Sequence, residues 1–143
     1  MDNLEEVLIE ILSKLYSRII YNEEKVLKDM LGETLSIKEF HTLEVIHSAM
    51  ATKSNTAGNI AGRLGITLGT CTTNIDRLIS KGLVNKVKND NDRRVVYIEL
   101  TEKGKQIHQK HVGLHKKLIT KAISKLSMSE KVSLMNAISK LEV

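Results

Sequence analysis

Five histidines, one cysteine and two clusters of hydroxyl and guanidinium groups are the residues of this 143-residue chain best suited to chemistry. His108, His111 and His115 fall within an apolar stripe of Ile107, Leu114, Leu118, Ala122 and Leu126 at helical spacing, so their imidazoles are expected to point inward. Inward imidazoles need partners. Glu24, His41, His108 and His111 form one candidate zinc set, because neutral imidazole and carboxylate are good zinc ligands. Spacing alone is a weak metal signal, and hydrogen-bonded core histidines, or the polar lining of an effector pocket, are the plainer reading. Cys71 sits among Leu68, Ile75 and Leu78; a thiol in apolar surroundings carries little thiolate, which favours a core role over redox sensing. The chain lacks a nucleophile elbow, a phosphate-binding loop, a dinucleotide fingerprint and a paired-cysteine motif, so neither an enzyme nor a cofactor is expected.

The other chemistry-bearing groups suit phosphates and base edges. In the stretch from Thr67 to Asn74, four hydroxyls and an amide occupy eight residues, a poor composition for a plain helix surface. At about 100° per residue, Gly69, Thr70, Thr73 and Arg77 turn away from the apolar positions, with Asn74 on the flank. Gly69 and Thr70 let a backbone approach phosphates, Thr73 and Asn74 suit base edges or thymine methyls, and Arg77 suits a phosphate or a guanine. Further on, Asp92, Arg93 and Arg94 crowd a turn. Arginines there can enter a narrow minor groove, with Asp92 orienting Arg94 by a charge-assisted hydrogen bond.

Positioning these groups requires particular elements. Leu4, Leu8, Ile11, Leu15 and Ile19, with Val7 and Leu12 beside them, predict a long first helix that stops before Gly32. Ser36 and Glu39 form a capping box that starts a second helix running to about Met50. Residues 52–55 read as a loop, and Ala57, Ile60, Ala61 and Leu64 as a short helix stopped by Gly65. Thr67 caps the next helix, whose apolar face is Leu68, Cys71, Ile75, Leu78 and Ile79 and which Gly82 ends. A short helix, a tight turn containing Gly and a second helix outline a helix-turn-helix. The turn formers Lys88 to Asp92 and the β-branched run from Val95 to Leu100 predict a hairpin. Thr101 then caps a long helix, and the capping box of Ser127 and Glu130 starts a last one holding Val132, Met135, Ile138 and Leu141.

Length and composition fit one mainly helical domain able to bury its own core. The lone cysteine excludes an internal disulfide, and no apolar run approaches a membrane span or secretory signal, so a soluble cytoplasmic protein is expected. The net charge of +5 is unevenly spread: residues 1–35 carry 8 acids and 4 bases, residues 103–143 carry 2 and 9. From Lys103 to Lys125 there are seven lysines, three histidines and no acid, a surface suited to phosphates or an acidic protein.

Four motifs in order carry a resemblance: Ile60-Ala61-Gly62-Arg63-Leu64-Gly65; Asp76-Arg77-Leu78 with Lys81-Gly82-Leu83-Val84; Asp92-Arg93-Arg94; and Leu100-Thr101-Glu102-Lys103-Gly104. Together they resemble the MarR family of winged-helix transcriptional regulators. The resemblance implies a mainly α fold with a small β-hairpin wing, a winged helix-turn-helix lobe over residues 34–101, and dimerisation helices over 1–33 and 102–143 in one domain. It also implies a homodimer on double-stranded DNA, with recognition helices in successive major grooves of a roughly palindromic operator. Residues 36–42, residues 67–73 and the histidines after Ile107 are similar to the branch that represses fatty-acid biosynthesis genes in Gram-positive bacteria. There acyl carrier protein bearing a long acyl chain is the corepressor. That partner is acidic, and Lys110, Lys116, Lys117 and Lys121, with His41, His108, His111 and His115, are the expected effector or carrier-protein surface. A zinc-responsive regulator, or one released from DNA by a small molecule, is the alternative.

Overall fold

The computed structural model describes residues 2–31 and 35–141. Its elements are α1 (Asp2–Leu31), α2 (Ile37–Ala51), α3 (Ala57–Leu64), α4 (Leu68–Ser80), β1 (Val84–Lys88), β2 (Val96–Leu100), α5 (Glu102–Ile123) and α6 (Met128–Ile138). The expected stop at Gly32 lies outside the described residues. The chain forms two compact units, Met1–His111 and Val112–Val143, so α5 starts in the first and ends in the second.

The helix starts follow from their caps. Ser36 Oγ accepts from the Glu39 amide at 3.2 Å while Glu39 accepts from the Ser36 amide at 2.8 Å, satisfying two amides that the first turn of α2 leaves without helical partners. Ser127 and Glu130 repeat the arrangement at α6. Thr56, Thr67 and Thr101 cap α3, α4 and α5 with their hydroxyls. Gly65 closes α3 at φ 65°, a left-handed conformation that costs glycine little.

In the first unit α2, α3 and α4 pack around Phe40, Leu43, Ile46, Ile60, Cys71, Ile75 and Leu78, all at most 1% exposed. Each of the Leu, Ile and Phe side chains among them contributes roughly 1.5–3 kcal/mol of burial. Leu68 departs from the expected apolar face: it is 57% exposed, because the first residue after the Thr67 cap lies beyond the edge of this core.

The wing is a two-stranded antiparallel hairpin with Val84 opposite Leu100 and Lys88 opposite Val96. Its base is buried through Leu83, Val84, Ile98 and Leu100, and its far end is exposed. The loop before α3 holds it in place. Asn55, buried and polar, donates from Nδ2 to the Ile98 carbonyl at 2.8 Å and accepts the Ile98 amide on its own carbonyl at 2.7 Å. Thr56 bridges to Tyr97, so this short segment serves as a partial third strand. Below the wing, a Cβ on Gly104 would lie 2.1 Å from the Leu83 carbonyl oxygen; only glycine lets α5 start this close to the end of α4.

In the second unit α6 buries none of its side chains, and Val132, Met135, Ile138 and Leu141 stay exposed. No helix among the described residues is long and apolar enough to cross a membrane.

Candidate nucleic-acid interface

Helix α4 is held by Cys71, Ile75 and Leu78, which fixes the opposite face outward. Gly69, Thr70, Thr73 and Arg77 are exposed there and Asn74 is half-buried beside them. The hydroxyls on this face are not equivalent. Thr73 Oγ1 donates to the Gly69 carbonyl at 3.1 Å, so its proton is used and the side chain offers outward lone pairs and a methyl. Thr70 Oγ1 accepts from Thr67 Oγ1 at 2.9 Å and keeps its own proton for a phosphate or base acceptor. Leu68, expected in the core, is instead exposed at the start of the same helix.

At the wing tip, Asp92 Oδ1 accepts from Arg94 Nε and from the Arg94 amide, both at 3.1 Å. Those bonds hold the Asp92 carboxyl below its ordinary pKa, the Arg94 side chain being the larger cause. The Arg94 side chain is otherwise 91% exposed, a cation held in one direction and open to water. Arg93 is exposed beside it. Lys86 on β1 reaches Asp76 on α4 at 3.1 Å, tying the wing to the helix it flanks.

Among the described residues, the alternative zinc set of Glu24, His41, His108 and His111 is not brought together. Glu24 is exposed on α1, and His41 is exposed at the start of α2, in a cleft of about 500 Å³ shared with Lys38, Thr70, Thr73, Asn74 and Arg77. Within the first unit the buried histidines find other partners. His111, 3% exposed, hydrogen-bonds the buried Glu23 carboxylate and stacks on Phe40 with ring centroids 4.9 Å apart. Continuing the α1 stripe four residues past Ile19 lands on Glu23, a signal present in the sequence that the choice of Glu24 overlooked. His108 stacks on His47 of α2 at 4.2 Å, and its buried Nδ1 has no hydrogen-bond partner among the described residues. Burial first, and the neighbouring His47 second, lower the His108 pKa, with Glu44 opposing them. His115 is half-buried, and Lys110, Lys116, Lys117 and Lys121 are exposed on α5. Cys71 is fully buried, which pushes its thiol pKa up.

A helix-turn-helix with an outward polar face, flanked by a hairpin that presents a braced arginine, defines a winged-helix DNA-binding protein. Known proteins sharpen that class. A profile of the MarR family matches residues 35–96. The Bacillus subtilis protein described as the uncharacterized HTH-type transcriptional regulator YkoM is 30% identical over 112 residues, covering 78% of this chain and 71% of that protein. Streptococcus pneumoniae FabT, solved in complex with DNA, superposes with a TM-score of 0.82 at 32% identity, covering 94% of this chain and 92% of FabT. A cysteine-to-serine variant of E. coli MarR complexed with operator DNA is 26% identical, with a TM-score of 0.59 over 92% of this chain and 94% of that one. The chain belongs to the MarR family. It is a DNA-binding transcriptional regulator and not an enzyme.

Proposed function

We propose that this regulator acts as a cytoplasmic homodimeric repressor on a pseudo-palindromic operator, controls fatty-acid biosynthesis genes, and takes acylated acyl carrier protein as corepressor. The observation that carries the reading is the likeness to FabT over nearly the whole chain, the FabT structure itself being a DNA complex. In this reading Gly69, Thr70, Thr73, Asn74 and Arg77 enter the major groove, and Asp92 braces Arg94, beside Arg93, at the minor groove.

Two features support the partners. Leu4, Leu8, Ile11 and Leu15 on α1 are 45–69% exposed, and Val132, Met135 and Ile138 on α6, with Leu141 just after it, are 45–62% exposed. Apolar helix faces of that length call for a second copy of the chain. The acid-free, lysine-rich stretch from Lys103 to Lys125 is suited to an acidic carrier protein, with Lys110, Lys116, Lys117 and Lys121 as docking contacts. His108, His111 and His115 are then groups through which an effector biases the spacing of the recognition helices.

Footprinting upstream of lipid-synthesis genes, with and without acylated carrier protein, tests the reading. The acylated form should tighten protection, and changing the four lysines to Glu should abolish that gain. An equal effect of carrier protein with and without its acyl chain would contradict the corepressor assignment.

A further inference from the structure

The cleft between α2 and α4 has a composition that DNA reading by α4 alone does not require. It is lined from α2 by Lys38, His41 and Thr42, from α4 by Thr70, Thr73, Asn74 and Arg77, and from the end of α3 and the turn after it by Leu64 and Ile66. It contains two permanent cations and an imidazole, and no acid. Among the described residues, Lys38, His41 and Arg77 have no ion-pair partner.

The nearest acid in sequence is committed elsewhere. Glu39 is 8% exposed and accepts from Lys81 Nζ at 2.8 and 2.9 Å as well as from the Ser36 amide. Lys38 is therefore left as an uncompensated cation in the first turn of α2, where the helix dipole already favours negative charge. Such a cation is electrostatically misplaced in the free protein and well placed against an external anion. Lys38 and His41, three residues apart, share one face of α2. Arg77 approaches from α4, and Thr70 holds a hydroxyl proton in reserve.

We infer that this cleft is a seat for one DNA backbone phosphate, closed by Lys38 and His41 from α2 and by Arg77 and Thr70 from α4. The inference rests on the DNA-binding reading and assigns His41 to the nucleic acid, away from the effector. A phosphate gripped from two helices fixes how deeply α4 enters the groove. Lys38 and His41 therefore set register, while Thr73 and Asn74 face the bases.

The experiment uses the full chain and two duplexes of equal length, one carrying the footprinted operator and one scrambled. Lys38 and His41 are both exposed, so Lys38→Gln and His41→Gln leave the core intact. The double variant should lose affinity for both duplexes by a similar factor, on the order of tenfold per half-site for one charge-assisted contact. The slope of log affinity against log salt should fall by roughly one per half-site. Replacing single operator phosphates by neutral methylphosphonates should reveal one position per half-site at which the wild-type protein is weakened and the double variant, which keeps Arg77 and Thr70, is weakened less. An unchanged salt slope, or a loss confined to the operator, overturns the phosphate seat while leaving DNA recognition standing. Failure of the wild-type protein to prefer the operator overturns the DNA reading itself.

Discussion

Single residues decide two different properties of this interface. Arg94 is exposed and braced by Asp92, and its removal leaves the fold untouched. Arg94→Ala should weaken operator binding by about 1–3 kcal/mol, the worth of one good groove contact, with the oligomeric state unchanged in sedimentation. Thr73 has its proton committed to Gly69, so it meets bases through lone pairs and a methyl. Thr73→Ala should therefore shift sequence preference in a binding-site selection and leave the salt slope alone, whereas a uniform loss on all DNA would contradict that role. Gly104 is the structural counterpart. A methyl group there meets a backbone carbonyl that cannot swing aside, and Gly104→Ala should cost on the order of 1–3 kcal/mol in denaturant unfolding, as overpacking does. The Asp92, Arg93 and Arg94 cluster was legible because turn chemistry announces itself locally. The burial of Asn55 was not, since a polar residue in a loop gives no sign that its amide will complete the edge of a strand 43 residues away.

Between elements, specific polar contacts add to the apolar core. Asn55 fastens the wing to the loop before α3, and Asn55→Ala should cost about 1–3 kcal/mol by orphaning the Ile98 carbonyl. If the wing is loosened locally, hydrogen exchange at Val96 to Leu100 should rise more than in α4. The His47–His108 stack joins α2 to α5 and carries a pH dependence. Because folding lowers the His108 pKa, the unfolded chain takes up that proton first. The associated stability is complete above the ordinary histidine pKa of about 6.5 and declines as pH falls below it. Urea midpoints from pH 7.5 to 5.5 should fall less steeply in His108→Leu than in the wild type; parallel curves would remove His108 from the effect. Periodicity predicted that His108 and His111 face inward, and capping chemistry located the helix starts, because both are local properties of the chain. Which carboxylate met which imidazole depended on the rotation of α1 against α5. A one-residue step in that rotation, about 100°, separates Glu23 from Glu24.

For the whole molecule, the proposed function gives the exposed apolar residues of α1 and of α6 to a second copy of the chain and the polar face of α4 to DNA. The dimer reading makes stability depend on protein concentration, since obligate association and folding are linked. The order of motifs from Ile60 to Gly104 made the family readable without coordinates. The cleft that joins Lys38 and His41 to Arg77 was not readable, because it exists only once α2 and α4 are packed together. If two copies of this winged helix read one operator, hydroxyl-radical footprinting of the purified protein should show it. Two protected patches about 10–10.5 base pairs apart, related by a dyad and flanked by minor-groove protection at the wings, are the predicted result. Protection spread evenly along any duplex, or a single unpaired patch, would contradict it.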